Sequence, residues 1–111
     1  MYLENRLADL MGLSHSVDPF ATGHESWKLP NGEWVDFIPF CTSLEFCVEV
    51  LLPFMAKQGF RLTLRQKTTG NWEAKFDNPQ RFSVAFEEQA PAMAVATTAE
   101  STLAALEGDD D

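Results

Sequence analysis

Basic side chains are scarce in this 111-residue chain: eight Lys and Arg stand against 17 Asp and Glu, for a formal net charge of −9. That scarcity argues against direct nucleic-acid binding, which rests on neutralising phosphates with cations. Cysteine is scarce too. Cys41 and Cys47 are six positions apart, so on one helix they would face nearly opposite sides, too far for a disulfide. A reduced, cytoplasmic setting fits that usage. The few soft metal ligands, His15, His24, Cys41 and Cys47, are spaced by 9, 17 and 6 positions. None of those spacings gives the paired ligands of a zinc site, so no metal and no other cofactor is expected. Long apolar runs are also missing. The longest, residues 50–56, is far short of a membrane span, and the charged start MYLENRLADL has no apolar core ahead of a cleavage site. Neither a membrane partner nor a signal peptide is expected.

What is present is a large apolar and aromatic fraction, 45% and 12%, with nine Phe and three Trp. Disordered chains lack such residues, and this one has enough to bury a single core. The expectation is one α+β domain over residues 1–108 followed by an acidic tail, 109–111.

Apolar periodicity places the elements. Leu3, Leu7, Leu10 and Met11 share a helical face over residues 2–11, and Gly12 supplies a C-cap. Residues 13–26, with Ser14, Ser16, Asp18-Pro19 and Gly23, read as a surface loop. Trp27-Lys28-Leu29 and residues 34–37 flank Pro30-Asn31-Gly32-Glu33, a turn sequence that predicts a short peripheral hairpin. The strongest helix signal covers 43–58. Thr42-Ser43-Leu44-Glu45 reads as a capping box, Leu44, Cys47, Val48, Leu51 and Met55 form an apolar stripe, and Gly59 ends it. Pro53 should kink that helix or close it early. Period-2 alternation then predicts a three-stranded antiparallel meander. Leu62 and Leu64, then Trp72, Ala74 and Phe76, then Phe82, Val84 and Phe86, line its apolar face. A last helix is expected over 98–107, opened by a second capping box at Thr97-Thr98-Ala99-Glu100 and capped by Gly108. Two to three helices should pack on the apolar face of the meander.

Several segments in this order resemble the bacteriophage "ABA sandwich" domain family. They are Leu7-Ala8-Asp9-Leu10-Met11-Gly12, Pro39-Phe40-Cys41-Thr42-Ser43 with residues 44–50, and Gly59-Phe60. Trp72-Glu73-Ala74-Lys75-Phe76, Ala96-Thr97-Thr98-Ala99 and Leu103-Ala104-Ala105-Leu106 complete the set. The resemblance covers nearly the whole chain outside 13–37. It implies a small phage or prophage α/β protein. No activity is established for that family as a whole, so no functional residue carries over. The chain departs from the pattern at Pro53, in its many Phe and in its acidic tail.

No catalytic constellation emerges. Cys41 with His15 or His24 could form a thiolate pair, and a helix N-terminus after Cys41 would lower its pKa somewhat. No local signature supports that pairing. Glu45 and Glu49 are helical neighbours, as on a solvated face, rather than acids held across a cleft. The chain is read as a non-enzyme.

Two binding surfaces stand out. Residues 61–81 carry five bases and two acids, whereas residues 82–111 carry seven acids and no base. In the basic stretch Arg61, Thr63, Arg65 and Lys67 lie opposite Leu62 and Leu64, with Lys75 and Arg81 able to join them. They form either the plain polar face of a sheet or a site for a nucleotide or other small anion. A homodimer through this face is also open. Trp27, Trp34, Phe37 and Phe40 cluster around the hairpin; they are either a satellite core beneath it or exposed rings for a protein interface or a stacking pocket for a base. Glu45 and Glu49 share the polar side of the long helix and could join such a protein contact. Together with the family resemblance, they give the functional expectation. This is a phage binding protein that acts in the host cytoplasm on a host protein, as in counter-defence or host takeover. A small-anion binder is the alternative, and a small hydrolase a more remote one.

Overall fold

The computed structural model describes residues 3–18 and 24–109. Its architecture is α+β: two three-stranded antiparallel sheets and three helices.

Helix α1 (Leu3–Leu10) buries Leu7 and Ala8. Its end is a Schellman-type closure. Gly12 takes a φ of +74°, Gly12 N donates to Asp9 O at 3.0 Å, and Leu13 N reaches back to Ala8 O at 3.1 Å.

The next stretch corrects the sequence reading. Residues 13–26, expected as a loop, contain two strands, β1 (Ser14–Asp18) and β2 (His24–Lys28), paired with Ser16 opposite Ser26. The expected hairpin follows, β2 pairing with β3 (Trp34–Val35), so the first sheet has the order β1-β2-β3. Ser, His, Asp and Glu dominate β1 and β2, leaving little hydrophobic alternation to read. Their pairing is a backbone matter that side-chain periodicity does not report. Pro19 and Gly23, part of the loop reading, lie outside the described residues. The β2–β3 turn is closed by Gly32 N to Leu29 O, 2.9 Å, and Leu29 N to Glu33 O, 2.8 Å.

Helix α2 spans residues 44–57. Ser43 caps it, its Oγ accepting from Phe46 N at 3.1 Å. The hydroxyl does this without the expected Glu45, which is exposed. Pro53 does not close the helix. In an ordinary α-helix its ring would press on the carbonyl of Glu49. Here the chain widens first: an α segment (Leu44–Phe46) gives way to a π segment (Cys47–Leu51), with Leu52 N donating to Cys47 O. A new α segment (Leu52–Lys57) then carries Pro53 in its first turn, where a missing N–H breaks no intrahelical bond. The extra residue in the wide turn shifts the buried stripe. Cys47, Val50, Leu51 and Met55 face inward, whereas Val48, expected inside, is 51% exposed.

Gly59 turns the chain out of α2 at φ +88°, and a Cβ there would lie 2.9 Å from Asn78 Nδ2. The three strands of the meander form as read: β4 (Arg61–Gln66), β5 (Trp72–Asp77) and β6 (Ser83–Glu88), with Leu62 opposite Phe76 and Phe76 opposite Val84. Phe86, expected on the covered apolar face, is instead 42% exposed near the end of edge strand β6. Ala74 and Phe76 on the central strand are fully buried.

Helix α3 (Pro91–Asp109) covers that apolar face, and α1 packs on α3. It starts seven residues before the predicted 98 and passes through Gly108, so neither the second capping box nor the Gly108 cap exists. Residues 91–97 show no amphipathic period because Ala92, Ala94, Val95 and Ala96 are all buried. Thr98, read as a cap, is buried in mid-helix. Its Oγ1 lies 2.7 Å from Ala94 O and 3.1 Å from Ala74 O, so its one proton is shared between helix and sheet. Thr102 Oγ1 donates to Thr98 O at 2.7 Å. Ala99, Leu103 and Leu106 face inward as expected. Residues 110–111 of the acidic tail lie outside the described residues.

Trp27, Leu29, Ile38 and Phe40 join the same hydrophobic core as α1, α2, α3 and β5. The hairpin is therefore anchored from within, although it sits at the margin of the fold.

Candidate functional site

The β4–β5–β6 register assembles the basic residues as expected. Arg61 faces Asp77, Thr63 faces Lys75, Arg65 faces Glu73, and Glu73 faces Glu87. Arg61, Thr63, Arg65 and Lys75 are exposed on the side away from α3. This face is largely self-neutralised, however. Arg65 Nε lies 3.1 Å from Glu73 Oε1, and Lys67 Nζ lies 3.4 Å from Glu73 Oε2 and 3.5 Å from Glu87 Oε2. Partial desolvation alone would raise the Glu73 pKa. The hydrogen bonds and charges of Lys67 and Arg65 outweigh it and hold the carboxyl below its ordinary value. Among the described residues, Arg61 and Lys75 have no ion-pair partner.

The hairpin residues divide. Trp27 is buried at 7% exposure and stacks on His15, ring centroids 4.9 Å apart, so it is a core residue and not part of a contact surface. Trp34 and Phe37 are 50% and 80% exposed. Glu45 and Glu49 are exposed on α2 and, among the described residues, make no hydrogen bond or ion pair. Trp34 and Phe37 thus expose aromatic rings, and Glu45 and Glu49 expose carboxylates that have no polar partner among the described residues.

Between the two elements lies a groove that the sequence reading missed. Leu29, Pro30 and Asn31 of the hairpin form one wall, and Glu49, Val50, Pro53, Phe54 and Lys57 of α2 form the other, enclosing about 140 Å³. Its only sequence signals were the Pro53 anomaly and the Pro30-Asn31 turn. Nothing in their spacing says that they meet.

Cys47 is a core thiol, and Cys41 is half-buried and packs against the core. Cys41 N donates to Glu4 Oε2 at 3.2 Å, and Cys47 Sγ donates to Phe40 O at 3.0 Å. Burial, then the nearby charges of Glu4 and Glu88, push the Cys41 pKa up to about 11. Burial, then Cys41 and Glu4, push Cys47 up to about 12. This corrects the expected lowering at Cys41: desolvation and two carboxylates outweigh the helix terminus. Both thiols are free and stay protonated at neutral pH, which is the wrong state for a nucleophile.

Among the described residues, no group of three or more His, Cys, Asp and Glu is placed to hold a metal ion, and no helix is long and apolar enough to cross a membrane. Compared with known proteins, the chain matches no family model, no curated protein and no solved structure.

Proposed function

We propose that this chain is a non-catalytic binding protein, encoded by a phage, that acts in the cytoplasm of the host bacterium by contacting a host protein. The single observation that carries the binding part is the exposure of the Trp34 and Phe37 rings, at β3 and just after it. On α2, Glu45 and Glu49 are exposed and lack partners among the described residues. Exposed aromatics cost free energy in water and become interface anchors when covered. The phage origin, and with it a role in counter-defence or host takeover, rests on the family resemblance of residues 7–12, 39–50, 59–60, 72–76, 96–99 and 103–106. The raised thiol pKa values count against a hydrolase.

Affinity capture from host lysate tests this reading. A host protein should be recovered in stoichiometric amount with the parent chain and lost with the Trp34→Ala, Phe37→Ala double variant. Equal recovery with both would sink the proposal.

A second reading, a binder of a nucleotide or other small anion, is favoured by exposed Arg61 and Lys75, which have no ion-pair partner among the described residues. It predicts a rise in melting temperature with such a ligand that Arg61→Ala abolishes. Prior engagement of Arg65 and Lys67 by Glu73 weighs against it.

A further inference from the structure

We infer that the groove between the hairpin turn and α2 receives one apolar side chain of a protein partner, presented by a segment with a Lys or Arg beside that side chain. This rests on the partner-binding reading and names the chemistry the partner must offer.

Size comes first. A dry cavity of about 150 Å³ in another protein holds benzene, and this groove encloses about 140 Å³. One aromatic ring or branched aliphatic side chain fills it. The lining fits such a group: Leu29, Pro30, Val50, Pro53 and Phe54 supply apolar walls.

Charge selects the neighbour. Glu49 stands on the rim and, among the described residues, has no hydrogen-bond or ion-pair partner. A carboxylate left unpaired beside an apolar wall is the complement of a cation delivered with an apolar group. The surrounding chain reinforces it, since residues 1–60 carry eight acids and three bases. Lys57 is the opposing charge. It lies eight positions after Glu49, about 12 Å along a helix. Lys57 therefore repels a cation from its own end of the groove and favours the Glu49 end.

The test is an NMR titration of the full chain with three synthetic pentapeptides. One carries Phe flanked by Lys, one Phe flanked by Glu, and one Ser flanked by Lys. The Lys-flanked Phe peptide should shift the amides of Asn31, Val50 and Phe54, and bind about tenfold more tightly than its Glu-flanked counterpart. Glu49→Lys, an exposed change that leaves the core intact, should invert that preference. Lys57→Glu should strengthen it by about threefold. The proposal is overturned if the groove amides stay still, if Ser serves as well as Phe, or if the charge of the flanks makes no difference. A silent groove combined with host-protein capture that still depends on Trp34 and Phe37 would remove the groove assignment and leave the partner-binding reading standing.

Discussion

The molecule shows two polar surfaces to solvent, and they are built on opposite plans. On the outer face of the β4–β5–β6 sheet, Arg65 and Lys67 reach Glu73, and Lys67 also reaches Glu87. Elsewhere, at β3, just after it and on α2, Trp34, Phe37, Glu45 and Glu49 are exposed, and Glu45 and Glu49 have no polar partner among the described residues. The basic face is the more conspicuous in the sequence, but its pairing happens within the sheet. The lesson is that a charge run reports a binding surface only when the fold leaves it unpaired. Register decides that: β5 sets Glu73 opposite Arg65 on β4 and Glu87 on β6, so the two carboxylates together engage Arg65 and Lys67.

The sharpest way to break the comparison is to detach one surface from the core. Phe40 is fully buried, and its ring lies 5.0 Å from that of Phe46 at the start of α2. Phe40→Ala should cost about 3–5 kcal/mol of stability in denaturant unfolding. Amide exchange should speed up in the hairpin and α2 before it does in the meander.

A smaller effect is expected where α2 hands over to the meander. Gly59 combines a positive φ with close approach to Asn78, and Gly59→Ala should cost about 1–3 kcal/mol. A neutral result would show that the handover is looser than the geometry requires.

The thiols sharpen the comparison by rate more than by stability. Their pKa values stand near 11 and 12 against an ordinary 9.0. Alkylation at pH 8 should therefore be at least about tenfold slower in the folded chain than in denaturant. The sign of the linkage follows. Protection of the neutral thiols contributes fully below the ordinary value of 9.0 and erodes as pH climbs from there through about 11 and 12. Fast alkylation of Cys41 in the folded state would reopen the case for a reactive cysteine.

The smallest effect belongs to the self-paired face. Glu73→Gln should weaken the fold only slightly, because exposed ion pairs are screened by water and salt. The lowered Glu73 pKa means that its contribution is present above the unfolded carboxyl value. It is lost as pH falls through the lower folded value. The parent and Glu73→Gln unfolding curves should thus converge at acid pH and at high salt. A large loss would mean that this face matters more to the fold than its exposure suggests.

The half of the fold with regular patterning was legible beforehand. Leu62 and Leu64, then Ala74 and Phe76, alternate cleanly, and the register honours every one of those faces. The meander, the face covered by helices and the Gly12 cap could be read directly. Three features could not, each for its own reason. β1 and β2 carry too few apolar residues for a period to emerge. In the first two turns of α3 no side chain is exposed, so no polar face marks an amphipathic signal, and buried Thr98 imitates a cap. In α2 the π segment resolves the Pro53 conflict and in doing so moves Val48 out and Val50 in, which ordinary helical spacing does not anticipate. The candidate surfaces were half legible. Trp34, Phe37, Glu45 and Glu49 were singled out and are exposed, Trp27 is core, and the groove depends on a meeting of hairpin and helix that no local pattern encodes.

The most direct measurement compares two double variants with the parent in quantitative capture from host lysate. One removes Trp34 and Phe37, and the other replaces Arg61 and Lys75 by Ala. The account predicts that the host protein recovered with the parent is lost with the first variant and kept with the second. Retention by the aromatic variant together with loss from the basic one would contradict it and move the site to the sheet.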